Sequence, residues 1–183
     1  AEHRWTREHA GLFDVSHMGP ALLALAHPTG DAEADHQAVA SALERFVPGH
    51  IIGLKRGRQR YTFLLNEQGG ILDDLMVARP LDETAQGGLL LVVNAGTKSA
   101  DFALIARALA GVATLTPLVD HALIALQGPE AAAIMAYVAR GALALSFMQT
   151  AGLDWRGHGL IVSRSGYTGE DGFEVLVPAV AAP

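Results

Sequence analysis

Cysteine is absent from all 183 residues. That excludes disulfide frameworks, thiolate zinc sites and cysteine nucleophiles. Basic residues are in the minority, with 13 Lys and Arg against 19 Asp and Glu and a net charge of −6. A general grip on a nucleic-acid backbone needs the opposite balance, so no nucleic-acid partner is expected. No apolar run approaches the roughly 20 residues of a membrane-spanning helix, and the first residues are charged, so no membrane partner is expected either. No histidine has a second ligand at metal-binding spacing, so no metal is expected. What the chain has is an ordinary globular balance: half of its residues are apolar and 17% are charged.

The pattern along the chain alternates hairpins and helices. Residues 2–10 read as a helix closed by Gly11 at its C′ position, followed by a short buried strand over 12–15. Residues 20–25 read as a second strand. Asp31 is placed to cap a helix running to about Arg45, with Val39, Leu43 and Phe46 on its apolar face. Residues 59–65 and 71–78 read as two strands joined by a hairpin through 66–70. A polar loop is expected over 80–87, then a strand buried on both faces over 89–94. Thr97 is read as the cap of a helix to Leu109, with Phe102, Ile105, Ala106 and Leu109 inward. Strands follow near 112–116 and 122–127, and Pro129 takes the first position of another helix. The last strands are 160–163 and 173–177. This order predicts an α+β fold of mainly antiparallel sheets with packed helices. Both ends read as interrupted elements, so a portion of a longer protein is expected.

Four constellations carry candidate chemistry. In Gly69-Gly70-Ile71-Leu72-Asp73-Asp74-Leu75 two adjacent carboxylates sit in an apolar strand. Strand alternation sends them to opposite faces, and apolar neighbours bury at least one. A buried carboxylate must gain a partner or shift its pKa, which suits acid–base or cation-stabilising work; capping the hairpin is the plainer alternative. Ser163 to Glu174 is a glycine-rich loop that lets backbone approach a ligand closely. Within it Tyr167 offers a stacking face and Glu174 a carboxylate able to accept two parallel N–H bonds, while Glu170 and Asp171 read as solubilising surface acids. Asp14, Ser16 and His17 invite a hydrolase triad, but residues three apart in an extended segment lie roughly 10 Å apart, too far for one. Lys55 to Arg60 is a basic stretch, either a solvated loop or a docking surface for an anion or acidic protein.

Taken in order, Phe13-Asp14-Val15-Ser16-His17-Met18, Gly69 to Leu75, Val92-Val93-Asn94-Ala95, Leu126-Gln127-Gly128-Pro129 and Ser163 to Glu174 resemble the glycine cleavage T-protein family of aminomethyltransferases. The resemblance runs over essentially the whole chain. It implies one folate-binding domain over 1–183, built as two interlocked subdomains divided near 95–120, without the family's C-terminal barrel domain. It implies transfer of an aminomethyl carbon from the lipoylated H-protein to tetrahydrofolate, with ammonia released and 5,10-methylenetetrahydrofolate formed. By motif position Asp74 matches the catalytic aspartate, and Met18, Tyr61, Asn94, Phe147, Tyr167 and Glu174 fall where the family lines its folate cavity. The family commonly carries an aromatic at the position of Ala78. The compartment implied is the bacterial cytoplasm, or the mitochondrial matrix in a eukaryote. Relatives on the same scaffold give the alternatives: the folate domain of a dimethylglycine or sarcosine dehydrogenase, a folate-dependent demethylase, or a non-catalytic folate-binding module.

Overall fold

The computed structural model describes residues 1–81 and 87–182, so most of the polar loop expected over 80–87 lies outside the described residues. The elements run α1 (Glu2–Glu8), β1 (Gly11–Asp14), β2 (Gly19–Leu25), α2 (Ala32–Leu43), β3 (Arg58–Leu65), β4 (Ile71–Arg79), β5 (Leu89–Val93), α3 (Lys98–Ala108), β6 (Ala113–Pro117), β7 (His121–Gln127), α4 (Ala131–Val138), β8 (Thr150–Trp155), β9 (His158–Ser163) and β10 (Gly172–Pro178). They form two compact units. The chain begins in the first unit, leaves it after His17, builds the second over residues 18–119, and returns for 120–183. Every strand pairing is antiparallel, so the α+β architecture read from the sequence holds. Among the described residues no helix is long and apolar enough to cross a membrane.

The second unit is a sheet of order β3-β4-β5-β2-β6. Helices α2 and α3 bring Val39, Leu43, Ile105 and Leu109 against Leu75, Val77, Leu89 and Leu91 in one core. Asp31 caps α2 as its residue type predicts: its side chain accepts N–H bonds from Glu33 and Ala34. The strand β5 is an unbroken apolar run because neighbouring strands flank both its edges and its side chains are covered on both faces. In the hairpin before β4, Gly69 takes φ +78°, a conformation that suits glycine.

The first unit is a sheet of order β1-β7-β10-β9-β8. Its core gathers Leu126, Met135, Leu160, Val162 and Phe173. Several readings change here. Gly11 belongs to β1 rather than capping α1, and Leu12 and Phe13 on that strand are exposed rather than buried, because β1 is an edge strand that, among the described residues, pairs with β7 alone. Helix α4 starts at Ala131, so Pro129 sits in the turn before it instead of at its first position. Strand β8 was not anticipated; its polar and glycine residues hide the alternation of an edge strand.

Candidate functional site

In the second unit, strand register assembles one group of candidate residues. Phe63 on β3 lies opposite Asp74 on β4. Leu75 lies opposite Val93, and Gly19 lies opposite the same Val93. One step further along each ladder, Asp74, Asn94 and Met18 fall in a row at the same end of the sheet. Directly opposed residues of antiparallel strands share a face. Tyr61, two residues from Phe63, occupies that face one step back and meets Phe63 edge-on at 5.4 Å. Four residues between 18 and 94 in the sequence are thereby gathered by pairing alone.

The two aspartates are both half-buried, so neither is sequestered as the apolar pattern had suggested. Burial rises only beyond them, along Leu75 to Arg79; Ile71 and Leu72 before them are exposed. Strand alternation still separates their surroundings. Asp73 shares its face with Leu75 and Val77, the face covered by α3, and accepts a short hydrogen bond from the Thr97 hydroxyl. Asp74 shares its face with Tyr61, whose hydroxyl hydrogen-bonds to it and is thereby pushed above its ordinary pKa. Asn94 joins the pair. Its amide donates to Asp74 Oδ1 at 2.7 Å, to Asp73 Oδ1 at 2.9 Å and to the Asp74 carbonyl at 3.2 Å. Asn94 reaches both carboxylates because β5 ends at Val93 and frees the next side chain from the ladder.

Asp73 shows how the competition resolves. Burial would raise its pKa, but hydrogen bonds from Thr97, Asn94 and Asp101, with the Asp74 backbone, hold it down at about 2. Thr97 therefore does not cap α3 with its side chain; its hydroxyl serves Asp73 instead. The helix is also rotated from the expected phase: Ala106 is exposed, and Asp101 takes the inward position with Ile105 and Leu109. Asp101 escaped the sequence reading because an acidic residue near a helix start ordinarily faces water. Its i, i+4, i+8 spacing with Ile105 and Leu109 is the signal that would have found it. Met18 is half-buried and its carbonyl accepts from Lys98 Nζ at 3.4 Å. Ala78, opposite Leu90 within the sheet, is buried.

In the first unit, Glu174 lies on β10 opposite Ser163 and Ala125. Its neighbour Phe173 faces the core, so alternation turns Glu174 the other way. Burial pushes its carboxyl above the usual range, against the Ser165 hydroxyl, which donates to Oε2 at 2.5 Å. Tyr167 and Phe147 are 72% and 69% exposed, and each presents an aromatic ring at the surface of this unit. The glycine-rich loop that carries Tyr167 is fastened from beneath by Gln127. Its amide donates to the carbonyls of Ser165 and Phe173, and it accepts from the Thr168 hydroxyl. Gly166 and Gly172 are required at this contact, since a Cβ on either would fall 1.7 Å and 2.5 Å from Gln127.

Asp171 and Glu170 are not solubilising surface acids. Asp171 takes both arms of Arg164 at 2.9 and 2.6 Å, and Glu170 pairs with Arg7 at 2.9 Å. Each therefore clamps one side of the loop. Nothing in the local pattern gave Arg164 and Arg7 away as their partners. Asp14 and Ser16 have local structural roles: Asp14 accepts the Ser16 N–H, and Ser16 Oγ accepts the N–H of Leu123. Lys55, Arg56 and Arg60 are exposed around the start of β3. Among the described residues no three His, Asp or Glu side chains converge as a metal site would need.

A family model described as the GCVT N-terminal domain matches residues 1–183. An aminomethyltransferase of Thermosynechococcus vestitus is 35% identical over 97% of this chain and 45% of its own length. A probable mitochondrial aminomethyltransferase of Schizosaccharomyces pombe is 36% identical over 97% of this chain and 43% of its own. The crystal structure of the glycine cleavage system aminomethyltransferase T from Bartonella henselae superposes with a TM-score of 0.80 at 38% identity, covering 99% of this chain and 45% of that one. A heterotetrameric sarcosine oxidase from Corynebacterium sp. U-96 shares the fold at 15% identity and a TM-score of 0.53, over 98% of this chain and 83% of that one. The chain thus spans less than half the length of the aminomethyltransferases it matches.

Proposed function

The chain belongs to the GCVT N-terminal domain family, and from that premise we propose that it is the folate-binding part of a tetrahydrofolate-dependent aminomethyltransferase of glycine cleavage. The observation that carries the reading is the setting of Asp74: a half-buried carboxylate at a sheet end, fixed by the Asn94 amide and the Tyr61 hydroxyl. Relatives named aminomethyltransferase at 35–38% identity favour this over the dehydrogenase, demethylase and non-catalytic readings.

The residues present suit a reduced folate. Glu174 has one oxygen engaged by Ser165, and among the described residues Ser165 is its one hydrogen-bond partner. The carboxylate therefore retains acceptor capacity for the two-donor edge of a pterin. In the first unit Tyr167 and Phe147 also expose aromatic faces; in the second, taken by itself, Tyr61 is 44% exposed and Met18 offers a polarisable side chain. Tetrahydrofolate, when bound, supplies the nucleophilic nitrogen that accepts the one-carbon unit.

The chain's own part is electrostatic and geometric. Asp74 holds a fixed negative charge for the positive charge that develops on the aminomethyl group as it leaves the lipoyl arm. Asn94 and Tyr61 hold that carboxylate in one orientation before the reaction begins, so little reorganisation accompanies it. As a carboxylate Asp74 is also placed to accept the proton that the folate nitrogen gives up on bonding the one-carbon unit and to pass it to the departing amine. The exposed cations Lys55, Arg56 and Arg60 offer a surface to an acidic carrier such as H-protein. Relatives named from bacteria and one named as mitochondrial support the bacterial cytoplasm or the mitochondrial matrix as the compartment.

The test is turnover by the full-length protein with aminomethyl-loaded, lipoylated H-protein and tetrahydrofolate. Formation of ammonia and 5,10-methylenetetrahydrofolate in equal amounts is expected. Turnover of dimethylglycine or sarcosine in place of the loaded H-protein would replace the reading with its dehydrogenase alternative.

A further inference from the structure

Asp101 is 4% exposed on the inward face of α3, and its Oδ2 is fully buried without a hydrogen-bond donor directed at it. Its side chain is hydrogen-bonded to the Asp73 carboxyl and meets the Thr97 hydroxyl. Two carboxylates in contact need a proton between them, because a pair of buried like charges is costly. The other three acceptor relations of Asp73 are already assigned: Thr97 donates to Oδ2, the Asn94 amide to Oδ1, and the Asp74 backbone contributes the third. The Thr97 hydroxyl also lies against Asp101, but its single proton goes to Asp73 Oδ2, so the proton between the two carboxylates resides on the acid pair itself.

The groups around it account for who holds it. From β4 come Asp73 and Asp74, from β3 Tyr61 hydrogen-bonded to Asp74, from the end of β5 Asn94, and from the start of α3 Thr97 and Lys98. Lys98 directs its ammonium toward the Met18 carbonyl. Asp73 collects the donors and is the anion; burial first, and then the hydrogen bond to Asp73, push Asp101 up to about 6 against the opposing hydrogen bond from Thr97.

We propose that Asp101 is a positioning residue for the transfer centre: its carboxyl supplies the proton shared with Asp73, and the Asp73 anion so fixed aims the Asn94 amide at Asp74. This assignment rests on the reading of Asp74 given above, and no part of it requires Asp101 to touch a substrate. Asp101 acts at two removes. Loss of its donor lets Asp73 turn; Asn94 then loses one of its two carboxylate anchors, and the orientation of Asp74 relaxes.

The test uses the full-length protein and two variants, Asp101→Ala, which deletes the donor, and Asp101→Asn, which restores a donor that does not titrate. The first readout is independent of activity. Infrared spectra at about pH 5 should show a protonated-carboxyl band in the wild type that is missing in Asp101→Asn. The Asn94 side-chain amide signals in NMR should shift in Asp101→Ala and return in Asp101→Asn. The second readout is kinetic, taken at about pH 5, where Asp101 holds its proton. Asp101→Ala should lower kcat roughly tenfold or more with the KM for tetrahydrofolate within about threefold, and Asp101→Asn should recover most of that loss. An unchanged infrared spectrum in Asp101→Asn overturns the shared proton. Amide signals or a kcat unaffected by Asp101→Ala, or no recovery in a folded Asp101→Asn, overturn the positioning role. A wild type that fails to transfer the aminomethyl group counts against the function proposed above, and the infrared and NMR readouts then decide the inference by themselves.

Discussion

Substituting Gly166 by alanine should damage the glycine-rich loop through one identifiable neighbour. A Cβ at this position falls 1.7 Å from Gln127 Oε1, 2.5 Å from Cδ and 2.7 Å from Nε2. Gln127 is 3% exposed, so it has no open space to move into. Displacing it breaks the bonds from Nε2 to the Ser165 carbonyl at 3.0 Å and the Phe173 carbonyl at 3.3 Å. A buried carbonyl left without its donor costs about 1–3 kcal/mol, so the pair is worth about 2–6 kcal/mol. Gln127→Ala loses the same two bonds and should cost a similar amount. The double variant should cost about what Gln127→Ala costs alone, because the new methyl group then enters vacated space. Urea denaturation of the three variants gives the cycle, with a common m-value as the check on two-state behaviour. Free energies that add to within about 0.5 kcal/mol would refute the contact as the cause. The Ser165 hydroxyl holds Glu174, so Gly166→Ala should also weaken tetrahydrofolate binding.

Two further predictions follow from charge. Burial and Asp73 raise Asp101 in the folded state from 3.8 to about 6. The fold therefore gains from Asp101 below about pH 4 and loses that gain as pH rises through about 6, by about 3 kcal/mol at most. Asp73, held down at about 2, acts oppositely in a separate window, adding stability as pH rises from about 2 to 4. Urea midpoints from about pH 4 to about 8, a range that covers the Asp101 window and lies above that of Asp73, should therefore flatten in Asp101→Asn; an unaltered slope would contradict the assignment. Reversing Arg56 and Arg58 to glutamate should raise the KM for H-protein and reduce its dependence on salt. If neither changes, the carrier docks elsewhere.

The sequence carried the local elements well where one force dominated. The apolar run Leu89 to Val93, the Asp31 cap and the Asn66 to Gly70 hairpin each have a single physical cause. It failed where long-range pairing decided the outcome. The exposure of Phe13 and the existence of β8 depend on which strands lie alongside, and β1 pairs with a strand more than a hundred residues later. The site shows the same division. Asp74, Asn94 and Tyr61 are legible as residue types in recognisable motifs, but their convergence depends on the registers of three neighbouring strands. Asp101 and the Arg164–Asp171 clamp were illegible because a charged side chain gives no sign in sequence of the partner that will bury it. Thr97 was read as a helix cap for a sound local reason and is instead drawn to a carboxylate from another strand.

The most direct measurement is single-turnover transfer by Asp74→Asn in the full-length protein, alongside its dissociation constant for tetrahydrofolate. A carboxylate about 4 Å from a developing cation contributes about 4 kcal/mol at an effective dielectric of about 20, or about a thousandfold in rate. The account predicts a loss of about 10²–10³ in the transfer rate, with folate affinity within about threefold of wild type. A transfer rate equal to wild type, or a loss that lies wholly in folate affinity, would contradict it.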